Sequence, residues 1–364
     1  MTKTNDIIQY ARANKKWAQH RKVSIANGTA GIKDVIQQRE MAALHFLCMD
    51  SAHDLTRLFK RDISFVEYCM NYPVYVEHLI AKKTGSKRII LAPDKNLKRM
   101  QRGLNYYLQC YYNLIKPDVV FGFVKTIRRQ KNPSAIVQNA SMHQKKKYLL
   151  NLDLENFFPS ISAKRILTLF SGPHFQFNSE IATALALLTT YQGKVPVGAP
   201  TSPILSNFIC LEMDEQLIEL ASRHQLTYSR YADDLTFSSN EFITPEILKE
   251  IRSVIEQNQF KLNEKKLRFR NAGKQQIVTG LTVNEKVNVD RKFLKKVRAM
   301  AHDLEKNGLE DAAQKHFRRN SPSEEMNATF LNTLAGYVNF IGQVRGKEDG
   351  VYLRYKRIFS PIPS

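Results

Sequence analysis

Cysteine is scarce in this 364-residue chain, and the four present, Cys48, Cys69, Cys110 and Cys210, are too scattered to form a C-x-x-C pair. The scatter speaks against a zinc site or a disulfide framework. The mostly apolar surroundings suit buried reduced thiols and, with them, a cytoplasmic compartment. Long apolar runs are also missing. No stretch approaches the ~20 residues of a membrane span, and the polar start from Met1 to Tyr10 lacks the apolar core of a secretory signal. Neither insertion into a membrane nor secretion is expected. Acidic residues are the third deficit, at 34 against 55 Lys and Arg, for a formal net charge of +21. Such a surplus attracts a polyanion at long range. Nucleic acid is the foremost candidate, although a ribosome-associated protein, a membrane-surface protein or a plain basic enzyme would carry the same charge. No internal repeat and no low-complexity tract is found.

The length allows a substantial core divided into two or three lobes. From residue 31 to 80 the spacing of Val35, Met41, Leu44, Phe46 and Leu47, then Leu55, Leu58 and Phe59, predicts helices, and residues 1–80 are expected to form a helical N-terminal extension. Its work is packing first, with a partner platform or part of an RNA grip as alternatives. From Lys82 the text becomes basic and strand-compatible, Lys87-Arg88-Ile89-Ile90-Leu91-Ala92-Pro93. A helix then follows through Leu97, Met100, Leu104 and Leu108, carrying Lys98, Arg99 and Arg102. Tyr148 to Leu154 reads as a buried strand with Asp153 near its end, where a carboxylate needs a partner because an isolated buried charge is costly. Ser202 and Pro203 open a helix running through Ile204, Leu205, Phe208, Ile209 and Leu217. Asp290 starts another, with Phe293, Val297, Met300 and Leu304 on one face and Lys292, Lys295, Lys296 and Arg298 largely elsewhere; Gly308 is expected to end it. The polar stretch from Asn320 to Asn327 is expected to be an exposed loop.

The segment with most chemistry in it is Thr227-Tyr228-Ser229-Arg230-Tyr231-Ala232-Asp233-Asp234-Leu235-Thr236-Phe237, where two strand-like runs meet at an acidic pair. A hairpin there sets both acids at its tip. An Asp-Asp pair alone is more often a solvated turn, but Tyr-Ala-Asp-Asp between apolar strands resembles motif C of reverse transcriptases. Asp153 in Leu152-Asp153-Leu154-Glu155-Asn156-Phe157-Phe158-Pro159 resembles motif A. Pro196-Val197-Gly198-Ala199-Pro200-Thr201-Ser202-Pro203 looks like motif B, with Val197 where related enzymes commonly carry Gln. Asn139-Ala140-Ser141-Met142-His143 fits an N-A-x-x-H pattern and Val278-Thr279-Gly280 a V-T-G pattern, two strings that in this order mark retron reverse transcriptases. The resemblance covers about residues 82 to 345, including Asn263-Glu264-Lys265-Lys266 and Gly336-Tyr337-Val338-Asn339-Phe340.

That resemblance implies an α+β right-hand polymerase. Fingers and a palm, a small antiparallel sheet backed by helices, would occupy residues 81–285, and a helical thumb and tail residues 286–364. It implies RNA-directed DNA synthesis with Asp153, Asp233 and Asp234 holding two magnesium ions, which suit three hard carboxylates and support in-line attack on a triphosphate without a side-chain nucleophile. Lys87 and Arg88 would grip the dNTP phosphates, as a guanidinium can do bidentately, or be a solvated basic strand. Phe158 would crowd a ribose 2′-hydroxyl, or be an ordinary core aromatic. Gly198 would let backbone approach the nascent base pair, or belong to a helix-capping loop. Asn139, His143, Lys292, Lys295 and Lys296 are the candidate RNA contacts, His143 being equally a satisfied core histidine. Implied partners are a cognate noncoding RNA, its branched RNA–DNA product (msDNA), dNTPs and a separate effector protein in antiphage defence, with oligomerisation open. With no RNase H carboxylate set after the thumb, template removal is expected to need a host enzyme. Two alternatives remain: another bacterial reverse transcriptase, group II intron-like or from a different defence system, and a noncatalytic RNA-binding scaffold. The second has no need for three clustered acids that repel one another without metal.

Overall fold

The computed structural model describes residues 2–13, 32–81, 85, 87–125, 134–317 and 323–359. Met1, Lys82 and the first part of the Asn320–Asn327 stretch lie outside the described residues. Among the described residues four helices come first: α1 (Thr2–Ala13), α2 (Ile32–Leu47), α3 (Ala52–Phe59) and α4 (Ile63–Asn71). Residues 75–80, expected to be helical, instead form strand β1 (Tyr75–Ala81), paired antiparallel with β2 (Lys87–Pro93) from Tyr75 opposite Pro93 to Ala81 opposite Lys87. The run Tyr75-Val76-Glu77-His78-Leu79-Ile80 carries β-branched and aromatic side chains that favour a pleated strand once a partner is at hand. Asp94 then accepts from the amides of Asn96 and Leu97 and opens α5 (Lys95–Ile115).

The central sheet has the order β4-β5-β3-β6, all neighbours antiparallel, with β3 at Tyr148–Asp153, β4 at Thr227–Tyr231, β5 at Asp234–Ser239 and β6 at Arg268–Asn271. Between α5 and the sheet comes α6 (Ala135–Ser141). Helices α7 (Ala163–Ser171), α8 (Ser179–Thr189), α9 (Ser202–Ile209), α10 (Leu211–Arg223) and α11 (Pro245–Gln257) fill the connections. The helix expected from Ser202 to Leu217 is thus two, broken at Cys210. A small hairpin of β7 (Ile277–Val278) and β8 (Leu281–Thr282) precedes α12 (Arg291–Phe317), α13 (Glu324–Arg345) and α14 (Gly350–Lys356). Gly308 ends the first helix of α12 as expected: at φ 81° and ψ 176° it is non-helical, and a second helix continues from the kink to Phe317. Residues 324–327, expected in a loop, are the first turn of α13, because the Ser323 hydroxyl accepts from the Met326 amide and caps it.

Strand alternation divides the sheet into two faces. Leu150, Leu152 and Phe237 face the larger core with Leu104, Leu108, Tyr111 and Phe208, and Ile8, Phe46 and Leu47 of the N-terminal helices join the same cluster. The N-terminal helices are therefore packed into the body of the molecule. Leu149, on the opposite face, belongs to a second core with Val137 and Ala140 of α6, Val278, Leu281 and Met300, Phe330, Leu334 and Val338 of α12 and α13. All four cysteines are buried and none is in a disulfide. Among the described residues no helix is long and apolar enough to cross a membrane.

Two glycines in α13 differ in sign. A Cβ at Gly342 would lie 2.6 Å from the buried Tyr352 ring of α14, whereas one at Gly336 meets nothing within 4 Å. Gly342→Ala is expected to destabilise by about 1–3 kcal/mol through overpacking, less the helix-propensity gain of Ala. Gly336→Ala should stabilise by up to about 1 kcal/mol. Urea unfolding of both variants checks the opposite signs.

Candidate active site

Tyr231 pairs with Asp234 across the β4–β5 hairpin, so Ala232 and Asp233 form a two-residue turn, with Ala232 in the left-handed region at φ 61°. On its other side β5 pairs with β3, setting Asp153 directly opposite Asp234. The Leu154 amide donates to the Asp233 carbonyl at 3.0 Å, tying the turn to the end of β3. Residues 80 positions apart in the chain thus deliver three carboxylates to one end of the sheet. Gly122 lies against the turn: a Cβ there would sit 2.2 Å from the Ala232 nitrogen. Nothing in the sequence singled out that glycine.

Asp153 is buried, and its Oδ1 accepts from Lys266 Nζ at 2.7 Å while the Asn263 amide donates to its carbonyl at 2.8 Å. The segment Asn263-Glu264-Lys265-Lys266 is therefore part of the site. The Asp234 carboxyl is pushed up to about 6, first by loss of water around it and then by the charges of Asp233 and Asp153. Asp233 is raised as well, chiefly by desolvation and by Asp153, with Lys266 and Arg88 pulling the other way. The acids are short of positive charge, and three hard oxygen donors in that condition suit a divalent cation. As they stand, no three of the described His, Cys, Asp and Glu side chains enclose a single point. A cation must compete with the Lys266 ammonium for Asp153.

Arg88 and Lys87 are exposed at the start of β2, and Arg88 is near enough to Asp233 for its charge to be felt there. The motif B loop reaches the same strand, since the Leu91 amide donates to the Val197 carbonyl at 2.7 Å. Gly198, at φ 121°, would with a Cβ stand 2.7 Å from Ile90 Cγ2 and 2.9 Å from the Leu91 oxygen. Its bareness is thus demanded by the approach of β2, while its other side is open to solvent. Phe158 is half-buried, with ring centroids 5.7 Å from Phe123 and 5.4 Å from Phe157.

Asn139 and His143 are not surface contacts for RNA, because both side chains are buried. His143 joins the two strands of the hairpin from the face of Leu149: its Nδ1 is 2.7 Å from Ser238 Oγ and its Nε2 2.7 Å from Ser229 Oγ. Burial, and secondarily Lys146, lower its pKa to about 3, so it stays neutral. The V-T-G string is the β7–β8 turn, with Thr279 and Gly280 both left-handed at φ 47° and 80°. The Thr279 hydroxyl donates to the Ile136 carbonyl of α6 at 3.0 Å. The helix that carries the first string thus meets the second, linking the Asp233-Asp234 hairpin to the second core. Lys292, Lys295 and Lys296 are exposed on α12, but Lys296 is engaged with Tyr337 of α13, its Nζ 3.0 Å from the hydroxyl and 4.8 Å from the ring centre.

The raised Asp234 carboxyl gives a pH dependence of defined sign. Its ionised form is disfavoured by folding, so the contribution is favourable below about pH 4, where the group is protonated in both states, and is lost as pH rises through about 6. Without divalent cations, Asp234→Asn should match the parent's unfolding midpoint at low pH and exceed it at neutral pH. Added cation should bind the parent more weakly below pH 6. A pH-independent difference between the two proteins would contradict this account.

The model of the family described as reverse transcriptase (RNA-dependent DNA polymerase) matches residues 80–315. Among curated proteins, the retron Mx162 reverse transcriptase of Myxococcus xanthus is 30% identical over 341 residues, 82% of this chain and 67% of that one. The retron Ec86 reverse transcriptase of Escherichia coli is 31% identical, over 70% of this chain and 78% of its own. The retron Mx65 reverse transcriptase of Myxococcus xanthus is 32% identical over 63% of this chain, a match that spans 55% of that enzyme's length. Among solved structures, telomerase from Candida albicans in complex with a fragment of telomeric RNA gives a TM-score of 0.46 at 10% identity, over 92% of this chain and 76% of that one. On the family match and the retron relatives together, the chain belongs to the reverse transcriptase (RNA-dependent DNA polymerase) family, as a member of its retron type.

Proposed function

We propose that the chain is an RNA-directed DNA polymerase that copies a cognate structured noncoding RNA into a branched RNA–DNA product, msDNA. It would act with a separate effector protein in antiphage defence, in the cytoplasm. The observation that carries the polymerase reading is the register that sets Asp153 opposite Asp234 with Asp233 at the adjoining turn. Divalent cations, which we take to be two magnesium ions, would when bound neutralise charge on the primer oxygen and the triphosphate. The chain's own groups do the rest. Asp153, Asp233 and Asp234 supply the oxygen ligands, and the exposed Lys87 and Arg88, the latter near Asp233, bind dNTP phosphates. Phe158, half-exposed and backed by Phe123, crowds a ribose 2′-hydroxyl. Gly198 leaves its solvent side free for the nascent base pair. Lys292 and Lys295, with the wider excess of cations, hold the RNA backbone in a salt-dependent way.

Changing Asp233 and Asp234 to Asn is expected to abolish extension of a primed RNA while leaving RNA affinity within a fewfold of the parent, since the cation ligands go but the basic surface stays. Extension near the parental rate would end the polymerase reading. The retron-specific part has a separate readout. Expressed with its native flanking DNA, the protein should copurify with DNA covalently joined to RNA and separable by a 2′–5′ debranching enzyme, and the Asn variant should retain only the RNA. Linear cDNA alone from the active enzyme would leave reverse transcription standing and remove the branched product.

A further inference from the structure

We propose that Arg230 is a positioning residue for the polymerase reaction: from within the core it fixes the Ala232-Asp233 turn that presents two of the three carboxylates. The inference rests on the polymerase reading above and adds a residue that touches neither substrate nor cation. Tyr228 and Arg230 alternate onto the sheet face occupied by Leu235 and Phe237, where an apolar residue is expected, yet Arg230 is fully buried there. Its Nε donates to Asp214 Oδ1 at 2.8 Å and its Nη2 to Asp214 Oδ2 at 2.6 Å, a bidentate pair with both partners out of water. Tyr228 adds its hydroxyl to Asp214 Oδ1 at 2.8 Å. The remaining nitrogen, Nη1, divides between Asn207 Oδ1 at 3.0 Å and the Ala232 carbonyl at 3.1 Å.

That last bond reaches the turn itself. Ala232 is left-handed, a conformation that an alanine does not choose without outside support. Support comes from two sides. Arg230 takes its carbonyl, and the segment at Gly122 closes on its nitrogen, where any Cβ would collide. The same network governs that segment. Asn207 Nδ2 donates to the Gly122 carbonyl at 2.9 Å, the Phe121 amide donates to the Arg230 carbonyl at 3.0 Å, and the Arg230 amide donates to the Val119 carbonyl at 3.0 Å. Asn207 lies on α9, which follows directly from the motif B loop. One guanidinium thus ties motif B, the Gly122 segment and the motif C turn into a single piece. A buried ion pair is a weak source of net stability, since desolvation consumes most of its attraction. A planar fork with fixed donor directions is a strong source of geometry, and lysine has no equivalent.

The test uses the full-length protein and two variants. Arg230→Met with Asp214→Asn removes both charges and leaves no unpaired buried ion, while the new amide still accepts from Tyr228. Arg230→Lys keeps the charges balanced but loses the fork. In both, primer–template affinity should stay within about threefold of the parent. Single-turnover incorporation should fall on the order of 100-fold, the scale of a misplaced reacting group. In cation-free protein, amide hydrogen exchange should rise at Asp233 and Asp234 and remain unchanged along β3. Parental incorporation and exchange in both variants would overturn the proposal. So would exchange rising across the whole sheet with affinity lost in parallel, because the role is then structural. The exchange measurement is independent of catalysis, so it judges Arg230 even if the Asp233 and Asp234 variants were to retire the polymerase reading.

Discussion

Three carboxylates at one end of a sheet repel one another, and most of what surrounds Asp153, Asp233 and Asp234 answers that repulsion. Lys266 neutralises Asp153 directly, and the charges of Lys266 and Arg88 favour the ionised form of Asp233. Neither restores Asp234, whose carboxyl remains well above the ordinary aspartate range. The backbone holds the acids together against this force by sheet register and by the Leu154 amide on the Asp233 carbonyl. Such an arrangement is poorly balanced without cations and better balanced with them, which is the electrostatic condition for a site that recruits divalent metal.

Two separate cores meet at this sheet. One face carries Leu150, Leu152 and Phe237 into the body formed with α5, α9 and the N-terminal helices, and the other carries Leu149 into the core shared by α6, β7, β8 and helices α12 to α14. His143 stands on the second face and bridges Ser229 to Ser238, so the strands that present the acids are braced from that face. The contact between Thr279 and Ile136 extends the brace to the β7–β8 turn. The helix carrying the N-A-x-x-H string and the V-T-G turn are thereby parts of one joint, within which Asn139 and His143 are buried.

Local patterns made several features legible in the sequence. The apolar alternation of Tyr148 to Leu154 and of the runs around Asp233-Asp234 set strand positions, and hence the acids at strand ends. The 3.6-residue spacing placed α5 and the first half of α12. Where a local signal was ambiguous, the neighbour decided. Residues 75–80 became a strand because β2 lay alongside, and Ser323 outweighed the polarity of Glu324 to Asn327 by capping α13. Gly308 interrupts α12 as its place in the sequence suggested, and Asp303 before the kink accepts from Lys315 after it.

The sequence by itself determined which residues are candidates for the chemistry, because hard-cation ligands, phosphate-binding cations and a turn between two strands are properties of residue type and short spacing. Only the tertiary structure decided how they are held. That Asp153 meets Asp234, that Lys266 reaches Asp153 across 113 positions, that Gly122 must lack a side chain and that Arg230 points inward to Asp214 and Asn207 are all long-range contacts. Their partners are distant in the chain and unremarkable in composition. Such pairings are selected by the packing of whole elements against one another, and no window of sequence contains the competing alternatives that packing eliminates.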